Sequence, residues 1–279
     1  MILTHSNGNK TFYQSVWPAP GNDPENDLDN GLGNGNAETL LLLHGLGADH
    51  MMWKPQMQSY AEASFHLLVP DLFGHGCSAK LTQIGLTDWH RQINDLLGYN
   101  NVEKCTLMGV SMGGVIALSF AVAYPHKVDR LIVSDTFCEL RTWRERFLGY
   151  SAVAGISALK LFGRKSFVKG MRATYKAPYA KVAQVYFEQV SQTTDLSQMR
   201  LARKAINRVD VWKDLAQLTF PALVMVGEDF GGFFINTNYK IAAALPNADF
   251  VILKKAMDPS NLVNPAKFDK QVLQFLLQR

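Results

Sequence analysis

Three observations predict an α/β fold for this chain. Apolar-rich stretches of strand length recur along its 279 residues, notably the continuous run at 39–43 and the stretches at 65–69, 128–134, 222–226 and 250–253. Their continuity fits strands covered on both faces, as in a parallel sheet, better than half-exposed ones. Stretches of helical spacing separate them, such as Trp89, Ile93, Leu96 and Leu97. The composition, 47% hydrophobic and 19% charged, is that of an ordinary soluble chain. Its length suffices for one α/β domain with a substantial insertion.

Taken in order, Thr11–Trp17 reads as an early strand. Pro18 to Ala37, rich in Asn, Asp, Gly and Pro, has little to bury and reads as a mobile surface loop. Its Gly31-Leu32-Gly33-Asn34-Gly35 has neither a feeding strand nor a following helix, so it is not read as a phosphate loop. The strand Thr39–Leu43 ends in His44-Gly45-Leu46-Gly47-Ala48-Asp49-His50, whose glycines let the backbone turn and expose N–H groups. Phe65–Val69 is the next buried strand, closed by Pro70–Ser78. Thr87 is placed as the cap of a helix that buries Trp89, Ile93, Leu96 and Leu97.

Gly109-Val110-Ser111-Met112-Gly113-Gly114 follows the apolar Leu107-Met108 and precedes the helical run Val115–Ala123. A serine between glycines at a strand-to-helix switch is the pattern of a nucleophile elbow. The tight turn lifts the hydroxyl to the rim of the sheet, at the positive end of the helix. The N–H of Met112 and, from the 44–50 loop, that of Leu46 are the expected oxyanion donors. Val128–Ser134 is a further strand, ending at Asp135. Ala222–Val226 and Phe250–Leu253 follow, and a last helix from Pro265 turns Phe268, Val272, Phe275 and Leu276 inward.

Between the strands at 128–134 and 222–226 the pattern becomes helical. Residues 137–214 hold fifteen Lys or Arg against six Asp or Glu, in a chain whose net charge is +4. This basic face is read either as ordinary solvated surface or as a field that attracts an anionic substrate or a membrane surface. No nucleic-acid motif interleaves these charges. Two S-x-x-K matches, at Ser157 and Ser166, lack companion motifs and are read as chance.

The motifs HGLGAD at 44–49, DLFGHGCS at 71–78 and GVSMGG at 109–114, with Trp53 after the first, resemble the α/β-hydrolase superfamily in order and spacing. The resemblance implies a mostly parallel eight-stranded sheet flanked by helices. It implies a core of residues 1–136 and 216–279 and a helical cap, or lid, of residues 137–215. It also implies a serine nucleophile, an acid after the seventh strand and a histidine after the eighth.

The last two positions depart from that pattern. Phe230 stands at the usual acid position, with Asp229 one residue early; Asp135, after the sixth strand, is the alternative acid. Asp258 stands where the histidine is expected, seven residues before Pro265, and no histidine follows His126. An aspartate is a weak base at its ordinary pKa of about 3.9, and burial raises such values. An Asx-type turn at 258–261 is an equally open reading. His50 in the oxyanion loop and Lys255 are alternative bases, while His44 and His75 are expected to be structural.

Two functions are therefore expected: a serine hydrolase of a small carboxylic ester, thioester or lactone, or a catalytically silent relative that binds a small apolar ligand. No cofactor or metal is expected, since no His/Cys set has ligand spacing. Three scattered cysteines, the lack of a signal-like start and the lack of a membrane-length apolar run lead to the expectation of a cytoplasmic protein.

Overall fold

A computed structural model describes residues 1–18 and 37–278. The loop expected at 18–37, including the glycine-rich 31–35, lies almost wholly outside the described residues. The chain runs through β1 (Ile2–Thr4), β2 (Lys10–Val16), β3 (Thr39–Leu43), α1 (Lys54–Glu62), β4 (His66–Pro70), α2 (Leu86–Tyr99), β5 (Cys105–Val110), α3 (Met112–Ala123) and β6 (Val128–Ser134). Four helices follow: α4 (Trp143–Phe162), α5 (Arg164–Thr174), α6 (Lys181–Val190) and α7 (Leu196–Ile206). The chain then completes β7 (Ala222–Gly227), α8 (Gly232–Ala244), β8 (Ala248–Leu253), α9 (Ser260–Val263) and α10 (Pro265–Leu277).

The strands form one eight-stranded sheet in the order β1-β2-β4-β3-β5-β6-β7-β8. The pairs β1–β2 and β2–β4 are antiparallel, and every later pair is parallel. β3, β4, β5 and β7 are buried along their whole length, as unbroken apolar runs require when both faces of a sheet are covered. Odd and even residues serve opposite layers. Leu41, Leu43 and Leu107 pack with Trp89, Ile93 and the α3 residues on one face. Leu40, Leu42 and Met108 pack with Trp53, Tyr60 and the α10 residues Phe268 and Val272 on the other.

Two local expectations change. β1 is too short to show alternation in the sequence, and it is held by its register with β2 (Ile2 opposite Phe12). Thr87 lies inside α2 instead of capping it; the N-cap is Gly85, whose N–H donates to the Asp88 carboxylate at 2.9 Å. No helix among the described residues is long and apolar enough to cross a membrane.

The parallel strands all end on one side of the sheet. The loops after β3, β5, β6, β7 and β8 therefore converge there, and α5, α6 and α7 pack across them.

Candidate active site

Ser111 joins β5 to α3 with φ 55° and ψ −116°, a left-handed conformation that costs about 1–3 kcal/mol for a residue with a side chain. Its surroundings hold it there. The Ser111 N–H donates to the Ser134 carbonyl at 2.9 Å, and its own carbonyl accepts the Thr136 hydroxyl at 2.9 Å. A Cβ at Gly109 would collide with the backbone of Gly113, and one at Gly113 with the Leu43 carbonyl. The glycines of the motif are thus required by the close approach of α3 to β3 and β5. Among the described residues the N–H groups of Leu46 and Met112 donate to no backbone acceptor. Leu46 lines the cavity beside Ser111, and Met112 opens α3, where N–H groups have no intrahelical partner.

The Ser111 hydroxyl donates to Oδ2 of Asp258 at 2.9 Å. Asp258 lies in the loop between β8 and α9, and that loop is fixed from three sides. The Tyr175 hydroxyl, at the end of α5, donates to the Asp258 carbonyl at 3.0 Å. Asn261 donates to the Met52 carbonyl at 3.1 Å, and Gln56 to the Asn261 carbonyl at 3.1 Å. Asp135 supplies the third tie. Its Oδ1 accepts the Gly227 N–H and its Oδ2 the Ser260 N–H, both at 2.8 Å, with the Ser134 hydroxyl at 3.1 Å. One carboxyl thereby fastens the ends of β6 and β7 to the residue two positions beyond Asp258.

Both carboxyls bind protons more tightly than ordinary aspartates. Burial first, and then the nearby Asp135 charge, push the Asp258 pKa up to about 8 against the Ser111 hydrogen bond and the positive charge of Arg203. Burial also raises Asp135, although its three donors favour the charged form.

The other sequence candidates lie elsewhere. Asp229 is exposed, and its carboxylate accepts the Tyr179 hydroxyl, so of the two candidate acids Asp135 is the one built into the Asp258 loop. His50 is turned away from Ser111: its Nδ1 lies 2.8 Å from Asp71 Oδ1, and its ring packs on Phe12. The Asp71 carboxylate outweighs the effect of burial and raises the His50 pKa. Lys255 is exposed. His44 and His75 are buried and structural, His44 accepting the Leu72 N–H at 3.0 Å.

Asp71 is a linchpin that the motif at 71–78 contains but does not explain by itself. Fully buried, it accepts the N–H groups of His50 and Cys77, each at 2.7 Å, and so ties the loop after β3 to the turn after β4.

Two cavities meet at the serine. One, of about 200 Å³, is lined by Leu46, Met52, Phe187, Met199, Ile206 and neighbours. The other, of about 210 Å³, lies towards α4 and α8 and is lined by Phe137, Leu148, Phe233 and Phe234 among others. Ser111, Asp258 and Arg203 border both. Arg203 is a site residue that sequence reading missed. The signal was the α7 spacing of Met199, Ala202, Arg203 and Ile206, which sets the arginine on the inward stripe of the helix. Among the described residues no set of three or more His, Cys, Asp or Glu side chains is placed to hold a metal ion.

A model of the α/β-hydrolase fold matches residues 38–265. The chain belongs to the α/β-hydrolase fold family. Its relatives include an uncharacterized protein of Mycobacterium tuberculosis, 35% identical over 100 residues, a match covering 36% of this chain and only 29% of that one. Another is the protein named "Putative carbamate hydrolase RutD" of Agrobacterium fabrum, 24% identical over 249 residues, covering 86% of this chain and 94% of that one. Among solved structures, the enol-lactonase of Burkholderia xenovorans superposes with a TM-score of 0.78 at 21% identity, covering 98% of each chain. Within this fold family, the chain sets Ser111 at the turn between β5 and α3 and pairs its hydroxyl with an aspartate.

Proposed function

We propose that the protein is a hydrolase of small carboxylic esters, thioesters or lactones, in which Asp258 takes the histidine's part as the base of Ser111. The 2.9 Å hydrogen bond from the Ser111 hydroxyl to Asp258 carries this reading. Names such as carbamate hydrolase and enol-lactonase among the relatives support a substrate with an activated carbonyl carbon.

An ordinary aspartate is too acidic to accept a hydroxyl proton effectively at neutral pH. Raised to about 8, Asp258 falls in the range where a general base works, close to histidine's ordinary value of about 6.5. In the acylation step the Ser111 oxygen bonds to the substrate carbonyl carbon while its proton passes to Asp258. The N–H groups of Leu46 and Met112 hold the oxyanion, and collapse expels the leaving group, which takes the proton back from Asp258. Water then attacks the acyl-serine by the same route, returning Ser111 and releasing the acid. Asp135 positions the loop that carries the base.

At pH 7 only about one Asp258 in ten is ionised, so activity rises through about pH 8. Hydrolysis of p-nitrophenyl acetate between pH 6 and 9.5 by the wild type and by Ser111→Ala tests this. The expected result is a Ser111-dependent rate with its ascending limb near 8. The missing histidine also favours a second reading, a silent relative that binds a small ligand. Folded protein with no Ser111-dependent turnover at pH 9 selects that one.

A further inference from the structure

Among the described residues Arg203 makes no side-chain hydrogen bond or salt bridge. Its Nε is buried without a hydrogen-bond acceptor, and the guanidinium carbon lies 5.5 Å from the centre of the Phe137 ring. Several cations of the same segment are committed: Arg141 pairs with Glu139 and Asp210, Arg172 with Glu188, and Arg164 donates to the Ser191 and Thr194 carbonyls. Arg200, whose Nε is also buried without a partner, borders neither cavity. The carboxylates bordering the second cavity are committed as well. Glu139 is held by Arg141, and Glu145 accepts the N–H groups of Arg141 and Thr142. Asp258 is the one carboxyl that borders both cavities with Arg203, and its proton is needed elsewhere. A buried guanidinium N–H left without an acceptor costs free energy that a folded chain ordinarily relieves with a partner.

From this geometry we infer that Arg203 is the anchor for a carboxylate on the substrate, so that the preferred substrates are small esters or lactones carrying a free carboxylate. The inference rests on the hydrolase reading for the scissile bond, and on Arg203 alone for the charge. The anion lies in the cavity of about 200 Å³, whose lining is otherwise mostly apolar and contains no carboxyl except Asp258. Arginine's planar fork matches a carboxylate with two parallel N–H···O bonds. The cavity limits the acid to a few carbons, the size of a succinyl or glutaryl group. A neutral ester of the same length leaves the guanidinium unpaired and gains nothing from it. Charge-assisted hydrogen bonds of this kind contribute about tenfold to hundredfold in affinity.

Two measurements test the anchor independently of catalysis and through it. Calorimetric titration of the wild type with glutarate at pH 7 is expected to show binding, with the diamide glutaramide bound at least about tenfold more weakly. Arg203→Met is expected to bind both equally weakly. Arg203→Lys, which keeps the charge and loses the fork, is expected to fall between and serves if the methionine variant does not fold. In turnover at pH 8.5, the wild type is expected to prefer p-nitrophenyl hemiglutarate to p-nitrophenyl valerate, and Arg203→Met to lose that preference, read as the ratio of kcat/KM for the two esters. Glutarate bound no better than glutaramide, or a substitution at Arg203 that leaves the preference intact, overturns the inference. Glutarate binding that depends on Arg203 without turnover of either ester upholds the anchor and sinks the hydrolase reading.

Discussion

Replacing Asp258 with asparagine should stabilise the fold while removing the base. Below about pH 4 the carboxyl is protonated in both the folded and the unfolded chain and burial costs little. Between about 4 and 8 the unfolded chain releases the proton while the folded chain keeps it, so stability falls as pH rises. Above 8 the folded carboxyl ionises too and the penalty is complete. With an unfolded value of about 3.9 and a folded value of about 8, this amounts to about 1.5 kcal/mol at pH 5 and about 5 kcal/mol at pH 8.5, as order-of-magnitude figures. Asparagine keeps an oxygen for the Ser111 hydroxyl and never ionises. Urea unfolding of both proteins at pH 5 and 8.5 measures the difference. The variant should gain more at pH 8.5 than at pH 5, by on the order of 2–4 kcal/mol once sharing of the proton with Asp135 is allowed for. A gain that is the same at both pH values, or a loss at pH 8.5, refutes the claim that Asp258 is held as a strained, proton-hungry carboxyl.

Asp258→His restores the family's usual base, and the ascending limb of kcat/KM should move from about pH 8 towards histidine's ordinary value of about 6.5 in a pH–rate series. Gly113→Ala drives a methyl group into the Leu43 carbonyl and should cost about 3 kcal/mol or more by denaturant unfolding, with α3 forced off the sheet. Asp71→Asn places an amide N–H₂ against a backbone N–H at His50 or Cys77. It should cost about 3 kcal/mol, and the His50 titration followed by NMR should fall from its raised position.

Much of this architecture is legible in the sequence because burial on both faces leaves a plain record. β3 and β7 appear as unbroken apolar runs, β4 and β6 as runs interrupted only by His66 and by Asp129 and Arg130, and the turn between β5 and α3 as glycines flanking a serine. The Asp258 substitution is legible too, by counting back from Pro265. What the sequence conceals is environment. Nothing in Asp258-Pro259-Ser260-Asn261 tells that burial and a second carboxyl lift its pKa, because Asp135 lies 123 residues earlier and meets it only through the folded sheet. Asp229 is nearer in sequence to the expected acid position, yet one residue of phase turns it outward to Tyr179. Arg203 is hidden among fifteen basic residues of one segment and is distinguished by bordering both cavities beside Ser111 with its Nε unpartnered. His50 sits in the right loop, but the Asp71 carboxylate claims its ring.

The coupling of Ser111 to Asp258 is tested most directly by the rate at which a fluorophosphonate modifies Ser111, followed by mass spectrometry from pH 6 to 9.5 in the wild type and in Asp258→Asn. The account predicts labelling of Ser111 that accelerates through about pH 8 in the wild type, and slow labelling with no such inflection in the variant. Equal labelling rates in the two proteins across that range would contradict it.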